Sequence, residues 1–357
     1  MSNLKQDEKI IWAPVLLKWY HAHQRDLPWR GEFPRNPYKV WVSEIMLQQT
    51  KVEAVKPYYD SWMTQFPTMQ SLAAASPDDV LRQWQGLGYY SRARNLHEAV
   101  QEVVKSYGGR VPDTKKEILS LKGIGEYTAG AILSMAYGEP EVAVDGNVLR
   151  VFARLYNIAG NILSTPVKKQ ITALAQAQMP KAQSGPFNEA LMDFGAMVCI
   201  PKSPRCDTCP LIDFCCAKQA GTEKELPLRI TKKHIPTEQI AVCVLSYHGC
   251  WLVHRRPAKG LLASMWEFPN VVGSGETGRT ALQQLLSSVG LRVDMDPAPT
   301  GTIKHVFSHK IWQMTLYEGC LIDGTLQTKE DWQWLPKQAY MSVPWAGPHG
   351  KITAMVE

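Results

Sequence analysis

The chain has 357 residues, of which 45% are hydrophobic and 20% charged, the proportions of an ordinary globular protein with room for two domains. A formal net charge of +6 is compatible with a polyanionic partner without requiring one. No apolar run reaches membrane-spanning length and MSNLKQDEK has no signal-peptide core, so neither a transmembrane helix nor a secretory leader is expected, and an intracellular protein is.

From Trp12 to about Gln219, apolar residues recur at three- and four-residue spacing, as in VWVSEIMLQQTKVEAV and LHEAVQEVVKSY. This predicts about ten helices and no strands. Pro57, Pro67, Pro77, Gly86, Gly88, Gly108, Gly109, Pro112 and Pro166 punctuate them. SPDDV and PDTKKEIL read as helix starts, with Ser76 or Asp113 capping and acids in the first turn. Within this region the stretch Leu121 to Asn147 is the most informative. LKGIGEYTAGAI is a Gly123-Ile124-Gly125 turn feeding an apolar helix. Glycine at both flanks permits positive φ and a close backbone approach, and the start of the helix welcomes an anion. VAVDGN then sets Asp145 after an apolar run and before Gly146. A phosphate seat followed by a lone acid suggests chemistry on a nucleic acid, although such turns before helices are common elsewhere. Lys218 to Gln239 is polar, contains Pro227 and Pro236, and reads as a linker. Past it, IAVCVLSYHGCWLVHRR predicts a β-hairpin around Tyr247-His248-Gly249. ALQQLLSSVG reads as a short helix, and KHVFSHKIWQMTLYEG and DWQWLP as further strands of a mixed α and β region.

Of the 8 cysteines, Cys199, Cys206, Cys209, Cys215 and Cys216 are crowded together, while Cys243, Cys250 and Cys320 stand apart. In a reducing compartment such crowding points to metal rather than disulfides. The spacing C-x6-C-x2-C-x5-C from Cys199 to Cys215 supplies thiolates for a tetrahedral zinc or a cubane iron–sulfur cluster. Zinc sites usually pair two C-x2-C knuckles, and the single one here favours a [4Fe-4S] cluster of structural character. Cys216 is expected to point away. Lys202 and Arg205 in this loop are candidates for phosphate contact or for a solvated face.

LKGIGEYTAGAI, VDGN and the cysteine spacing together resemble the helix–hairpin–helix DNA glycosylase superfamily with its iron–sulfur loop. VSEIMLQQT and GLGYYSRARNL narrow the resemblance to adenine DNA glycosylases of the MutY type, over essentially the whole chain. The resemblance implies a multidomain protein. An all-α catalytic domain over 1–217 would hold the helix–hairpin–helix at 121–132 and the [4Fe-4S] loop at 199–215. A linker at 218–238 and a C-terminal α+β Nudix-like domain at 239–357 would follow. The implied reaction is hydrolytic removal of adenine mispaired with 8-oxoguanine or guanine. The implied partners are double-stranded DNA carrying that mispair and a monovalent or calcium ion at the hairpin. The implied state is a cytoplasmic monomer, nucleoid-associated in a bacterium.

Adenine leaves poorly unless protonated, so its excision needs a carboxylic acid that is neutral near pH 7. Glu44 is flanked by Trp41, Val42, Ile45, Met46 and Leu47, and such neighbours raise a carboxyl pKa by desolvation. Spacing alone equally allows the wet face of an amphipathic helix; the resemblance makes Glu44 the general acid. By the same resemblance Asp145 is the anion that stabilises positive charge on the deoxyribose, one half of the usual two-carboxylate arrangement. Its other reading is a cap for the helix starting at GNVLRVFARL. Asn147 is expected to orient water or Asp145. Tyr127 stands where related lyases carry a Schiff-base lysine, which predicts a monofunctional glycosylase with Tyr127 touching Asp145 or the sugar. Glu189 matches a residue that hydrogen-bonds the extruded adenine, and Arg25 and Trp29 are expected to wall the base pocket. Gln49 and Tyr89 match residues that fill the gap beside the orphan base. Gly123 and Gly125 would seat a phosphate.

HRRPAKGLLASMWEFPNVVG resembles a Nudix fold, but GRTALQQLLSSVG lacks the acids of a Nudix metal helix. That combination predicts recognition without metal-dependent hydrolysis. Phe307, Ser308 and His309 match the family's 8-oxoguanine-reading loop. Ser308 would satisfy the N7 hydrogen that guanine lacks, and His309 would approach phosphate or the exocyclic amine. The rival readings are a pyrimidine-damage glycosylase with lyase activity like endonuclease III, a non-catalytic DNA-binding or iron–sulfur scaffold, and a Nudix hydrolase. Tyr127, the Glu44 and Asp145 pair, and the missing acids argue against them in turn.

Overall fold

The computed structural model describes residues 11–230, 235–327 and 331–356. By contacts the chain divides into two compact units, Met1–Ala74 with Asn95–Thr231, and Ala75–Arg94 with Lys232–Glu357. A stretch of helical sequence thus groups with the C-terminal residues.

The first unit is helical throughout its described residues. Its helices start on side chains that satisfy the first unpaired N–H groups. Asn36 Oδ1 accepts from Lys39 N–H at 3.1 Å ahead of Pro37–Leu47. Lys115–Ser120 is capped by Thr114, which accepts from Glu117 N–H at 3.4 Å, and not by Asp113. Thr114 has the extended backbone of a cap (φ −101°, ψ 141°), and Asp113 lies one residue too early for the three-residue reach. The core joins Trp12, Leu16 and Tyr20 to Phe152 on Gly146–Leu155 and to Phe187, Leu191 and Phe194 on Ser184–Met197. Trp12 meets Phe152 edge-on at 5.4 Å and stacks on Phe187 at 6.0 Å, geometries that add to the burial of these rings.

Much of the expected linker is packed structure. Cys216–Ala220 is helical, and Glu223 and Leu226 are buried. Arg154 Nε donates to Leu226 O at 2.9 Å and Ile162 N–H to Leu228 O at 3.0 Å. The polar composition hid this because backbone carbonyls make the contacts. Residues 231–234 of that stretch lie outside the described residues.

In the second unit Ser76 caps the helix Pro77–Gln83, as expected, by accepting from Asp79 N–H at 3.1 Å. The strands are β1 Thr237–Tyr247, β2 Cys250–Arg255, β3 Trp266–Glu267, β4 Asn270–Val272, β5 Leu291–Met295, β6 Gly301–Val306, β7 Ile311–Gly324 and β8 Trp332–Pro336. They run in the order β3-β2-β1-β7-β5, with β4 on β1, β6 on β7 and β8 on β2. β1 and β7 are parallel from Thr237↔Ile311 to Leu245↔Gly319. The β1–β2 hairpin closes through His248 (φ 47°) and Gly249 (φ 72°), the paired positive φ of a type I′ turn. β1 is buried on both faces. Ile240, Val242 and Val244 face a core with Trp345 and Ile352, the latter on the helix Gly347–Val356. Ala241, Cys243 and Leu245 face Leu282 and Leu286 of Gly275–Ser287. A strand covered on both sides reads as the continuous apolar run seen here.

Candidate active site

Glu44 is 4% exposed on Pro37–Leu47, with Trp41, Val42, Ile45 and Met46 buried around it, so it does not sit on a wet face. Burial pushes its carboxyl up to about 7. The charges of Asp145 and Glu189 add to the rise, and the hydrogen bond from Tyr127 opposes it. Tyr127 Oη donates to Glu44 Oε2. Glu126–Tyr137 packs directly against Pro37–Leu47 and turns its second residue toward that helix, with the Asp145 charge also close to the phenol. Burial and the neighbouring Glu44 and Asp145 charges hold the phenol well above its ordinary range, so it remains a donor.

Asp145 is placed from two sides. A Cβ at Gly130 would lie 2.2 Å from Val142 O, so glycine is what lets Glu126–Tyr137 lie on the VAVDGN segment. Asn188, fully buried, accepts from Ala143 N–H at 3.0 Å and donates to Glu141 O and Ser134 Oγ, each at 2.8 Å. Asp145 then caps Gly146–Leu155, its Oδ1 accepting from Val148 N–H at 2.8 Å. Asn147 Nδ2 donates to Asp145 Oδ2 at 2.7 Å, and Arg150 Nη2 donates to Asn147 Oδ1 at 2.8 Å. Burial raises the Asp145 carboxyl, and the Val148 and Asn147 hydrogen bonds counter it.

A buried ionic network borders the cleft that Glu44 lines. Glu189 Oε2 accepts from Tyr20 Oη at 2.5 Å and Arg35 Nη2 at 3.0 Å, its Oε1 accepts from Arg35 Nε at 3.0 Å, and Arg30 Nε forms an ion pair with Oε2 at 3.0 Å. A helix-surface Glu189 is thereby excluded. Arg30 grips Asp193 through both terminal nitrogens at 2.7 and 2.9 Å, and Arg25 Nε donates to Asp193 Oδ1 at 2.7 Å. Burial alone would raise the Asp193 carboxyl, but Arg30 and Arg25 hold it below the usual range. Arg25, Trp29, Glu44 and Glu189 line one cleft, where Trp29 packs edge-on against Tyr59 at 5.4 Å. Sequence reading missed Asn188, Arg30, Arg35, Asp193 and Tyr20. The signal available was Glu189 and Asp193 four residues apart on one helix, against three arginines at five-residue spacing at 25, 30 and 35.

Of the two hairpin glycines, Gly123 has φ +83°, and a Cβ there would meet Asn95 Cβ at 2.7 Å. Gly125 does not use the positive φ that glycine permits. It is extended (φ −107°, ψ 179°), caps Glu126–Tyr137 without a side chain, and has open space where a Cβ would stand. Gln49 (φ 58°) and Tyr89 (φ 49°) are both exposed in the left-handed region, a costly conformation for residues with side chains that tends to cluster at functional sites.

In the second unit, Tyr89, the Gly260–Leu262 loop and the turn Phe307–Ser308–His309 line one cleft. Phe307 N–H donates to Lys310 O at 2.8 Å to close that turn. Ser308 and His309 are exposed on it.

Cys199, Cys206, Cys209 and Cys215 line a single cavity with Arg154, while Cys216 is exposed as expected. Arg154 Nη1 lies 3.4 Å from Cys199 Sγ. Among the described residues no group of three or more His, Cys, Asp or Glu is set to hold one metal ion. Four cysteine thiols on one cavity are the donor set that a cubane iron–sulfur cluster takes.

Residues 42–177 match the family model of HhH-GPD superfamily base excision DNA repair proteins, 199–215 the iron-sulfur binding domain of endonuclease III, and 241–355 the NUDIX domain. The adenine DNA glycosylase of Homo sapiens is 38% identical over 349 residues, covering 82% of this chain and 64% of that protein. The chain thus spans just under two thirds of the human relative's length. The adenine DNA glycosylase of Buchnera aphidicola subsp. Schizaphis graminum is 33% identical over 300 residues, covering 84% of each. The solved structure of a thermostable thymine-DNA glycosylase matches with a TM-score of 0.54 at 30% identity, over 59% of this chain and 96% of that one. The fold is therefore a helical helix–hairpin–helix glycosylase domain with a [4Fe-4S] cluster, joined to a C-terminal Nudix-like domain. This chain therefore belongs to the adenine DNA glycosylase family of base excision repair enzymes.

Proposed function

We propose that this chain is a monofunctional glycosylase that hydrolyses the N-glycosidic bond of adenine mispaired with 8-oxoguanine or guanine in duplex DNA. The observation that carries the reading is a carboxyl at position 44 whose pKa is about 7, bordering a cleft, beside a phenol in place of a Schiff-base amine. Protonated Glu44 donates to a ring nitrogen of the flipped adenine. The electron pair of the glycosidic bond leaves with the base, and ionised Asp145 faces the positive charge that develops on the sugar. Water then adds to the sugar carbon and returns its proton to Glu44, which restores the enzyme. Asn147 holds Asp145. Glu189 Oε1, with one donor against the two on Oε2, accepts from the adenine amine, between Arg25 and Trp29. Gln49 and Tyr89 fill the vacated stack. The open start of Glu126–Tyr137, with Gly123 and Gly125, seats a backbone phosphate. Phe307, Ser308 and His309 read the opposite base. Cys199, Cys206, Cys209 and Cys215 hold the cluster, which when bound cross-links its loop.

Single-turnover excision on a duplex with adenine opposite 8-oxoguanine, read with and without hot alkali, tests the proposal. Breaks only after alkali are expected. Breaks without alkali would reveal a lyase nucleophile and overturn the reading of Tyr127, and absence of excision would overturn the function itself. Because Glu44 acts as an acid, the rate should fall roughly tenfold per pH unit above about pH 7. Tyr127→Phe removes a donor that favours the ionised carboxylate, so the alkaline limb of that profile should move to higher pH. An unmoved limb would show that Tyr127 does not tune Glu44. Ser308→Ala should lower the ratio of rates opposite 8-oxoguanine and guanine by roughly threefold to tenfold, the worth of one hydrogen bond. An unchanged ratio would remove Ser308 from that role.

A further inference from the structure

The segment that carries Tyr89 is tied to the rest of the second unit by contacts that the function above does not use. Asp78, in the first turn of Pro77–Gln83, places Oδ1 2.5 Å from Arg255 Nη2. Arg255 Nε donates to Ser264 O at 3.1 Å, and Arg94 Nη1 donates to Ala263 O at 2.9 Å. Both carbonyls belong to one loop. That loop also gives Gly260, Leu261 and Leu262 to the cleft lined by Tyr89 and Phe307–Ser308–His309. Leu262 (φ 54°) and Ser264 (φ 60°) are left-handed, a path that residues with side chains keep only when the surroundings hold it. Between the anchors at Asp78 and Arg94, the segment bends through Gly86 (φ 104°), Gly88 (φ 72°) and Tyr89 (φ 49°). Arg92 Nη2 steadies that bend by donating to Leu87 O and Gly88 O at 3.2 and 3.1 Å.

We propose that Arg255 is a positioning residue for reading the opposite base. With Asp78 and Arg94 it latches the Tyr89 segment to the 260–264 loop, so that Tyr89 and the 307–309 turn meet the base as one preassembled surface. The proposal rests on the base-recognition reading above. A guanidinium suits the role because its planar fork serves a carboxylate and a carbonyl at once. Preassembly removes an ordering cost that binding would otherwise bear.

The test compares single-turnover rates for adenine opposite 8-oxoguanine and opposite guanine in wild type, Asp78→Ala, Arg255→Ala, the double variant, and the charge exchange Asp78→Arg with Arg255→Asp. Asp78→Ala should lower the ratio of the two rates by roughly twofold to fivefold, the range open to a half-exposed ion pair. The double variant should be no worse than Arg255→Ala, and the charge exchange should recover part of the ratio. In DNA-free protein, amide hydrogen exchange over 75–94 should quicken in Asp78→Ala. An unchanged ratio in Asp78→Ala, or a lost ratio without faster exchange, would overturn the latch. A wild type with no preference for 8-oxoguanine would instead overturn the reading on which the latch rests, and the exchange measurement separates the two failures.

Discussion

Glu44→Gln lowers adenine excision by roughly 10²- to 10⁴-fold while duplex binding persists, because an amide keeps the shape of the acid but has no proton to transfer. Single-turnover rates beside a binding titration check this, and wild-type turnover in the variant would remove Glu44 from the chemistry. A second signature follows from linkage. The folded-state pKa of Glu44, about 7, lies above its ordinary value of 4.5. The native state therefore binds the proton more tightly than the unfolded chain, and stability present below about pH 4.5 is lost as the pH rises through 7. At pH 8 ionised Glu44 costs on the order of 3 kcal/mol, a cost glutamine does not carry. The variant should match wild type in Tm at pH 4 and exceed it at pH 8. A lower Tm for the variant at both pH values would mean that the buried carboxyl is not held protonated.

Arg154→Met should cost roughly 3–5 kcal/mol and release the cluster. Arg154 is 2% exposed on Gly146–Leu155. Its nitrogens donate to Leu226 O at 2.9 Å, Ile200 O at 2.7 Å and Pro201 O at 2.9 Å. Methionine fills similar volume but leaves these carbonyls without their donors, and unsatisfied buried acceptors cost about 1–3 kcal/mol each. The charge beside Cys199 Sγ disappears with them. Iron and sulfide per chain, followed with the melting temperature, should both fall. Full iron content with an unchanged Tm would show that the loop stands without Arg154. Arg150, which donates to Cys199 O at 2.8 Å and Gly195 O at 2.7 Å, supports the same loop from one turn earlier.

Neither arginine is conspicuous in NVLRVFARL, where a charge on a helix reads as its solvated edge. Only the four-residue spacing of Arg150 and Arg154 hints at a shared buried face, and that hint does not say what the face meets. Glu44 presents the opposite case. Its apolar neighbours already speak for desolvation, and packing against Glu126–Tyr137 completes it. Tyr127 lies between these. Its residue type alone speaks against an imine, yet its hydrogen-bond partner is set by how two helices rest on each other, and that partner is Glu44.

Features that act between near neighbours were determined by the sequence by itself. They include the start at Ser76, the cysteine spacing, the two-residue hairpin at His248-Gly249, the apolar run of β1, and the residue types at 44, 127 and 145. The tertiary structure alone decided that Tyr127 meets Glu44 and that the polar stretch after Cys216 packs on Arg154. It also decided that Ala75–Arg94 joins the C-terminal unit. The reason is physical. A cap, a turn and a period depend on local backbone geometry, which adjacent residues encode. A guanidinium reaching a carbonyl distant in sequence depends on which surfaces meet after folding, and no local pattern carries that information.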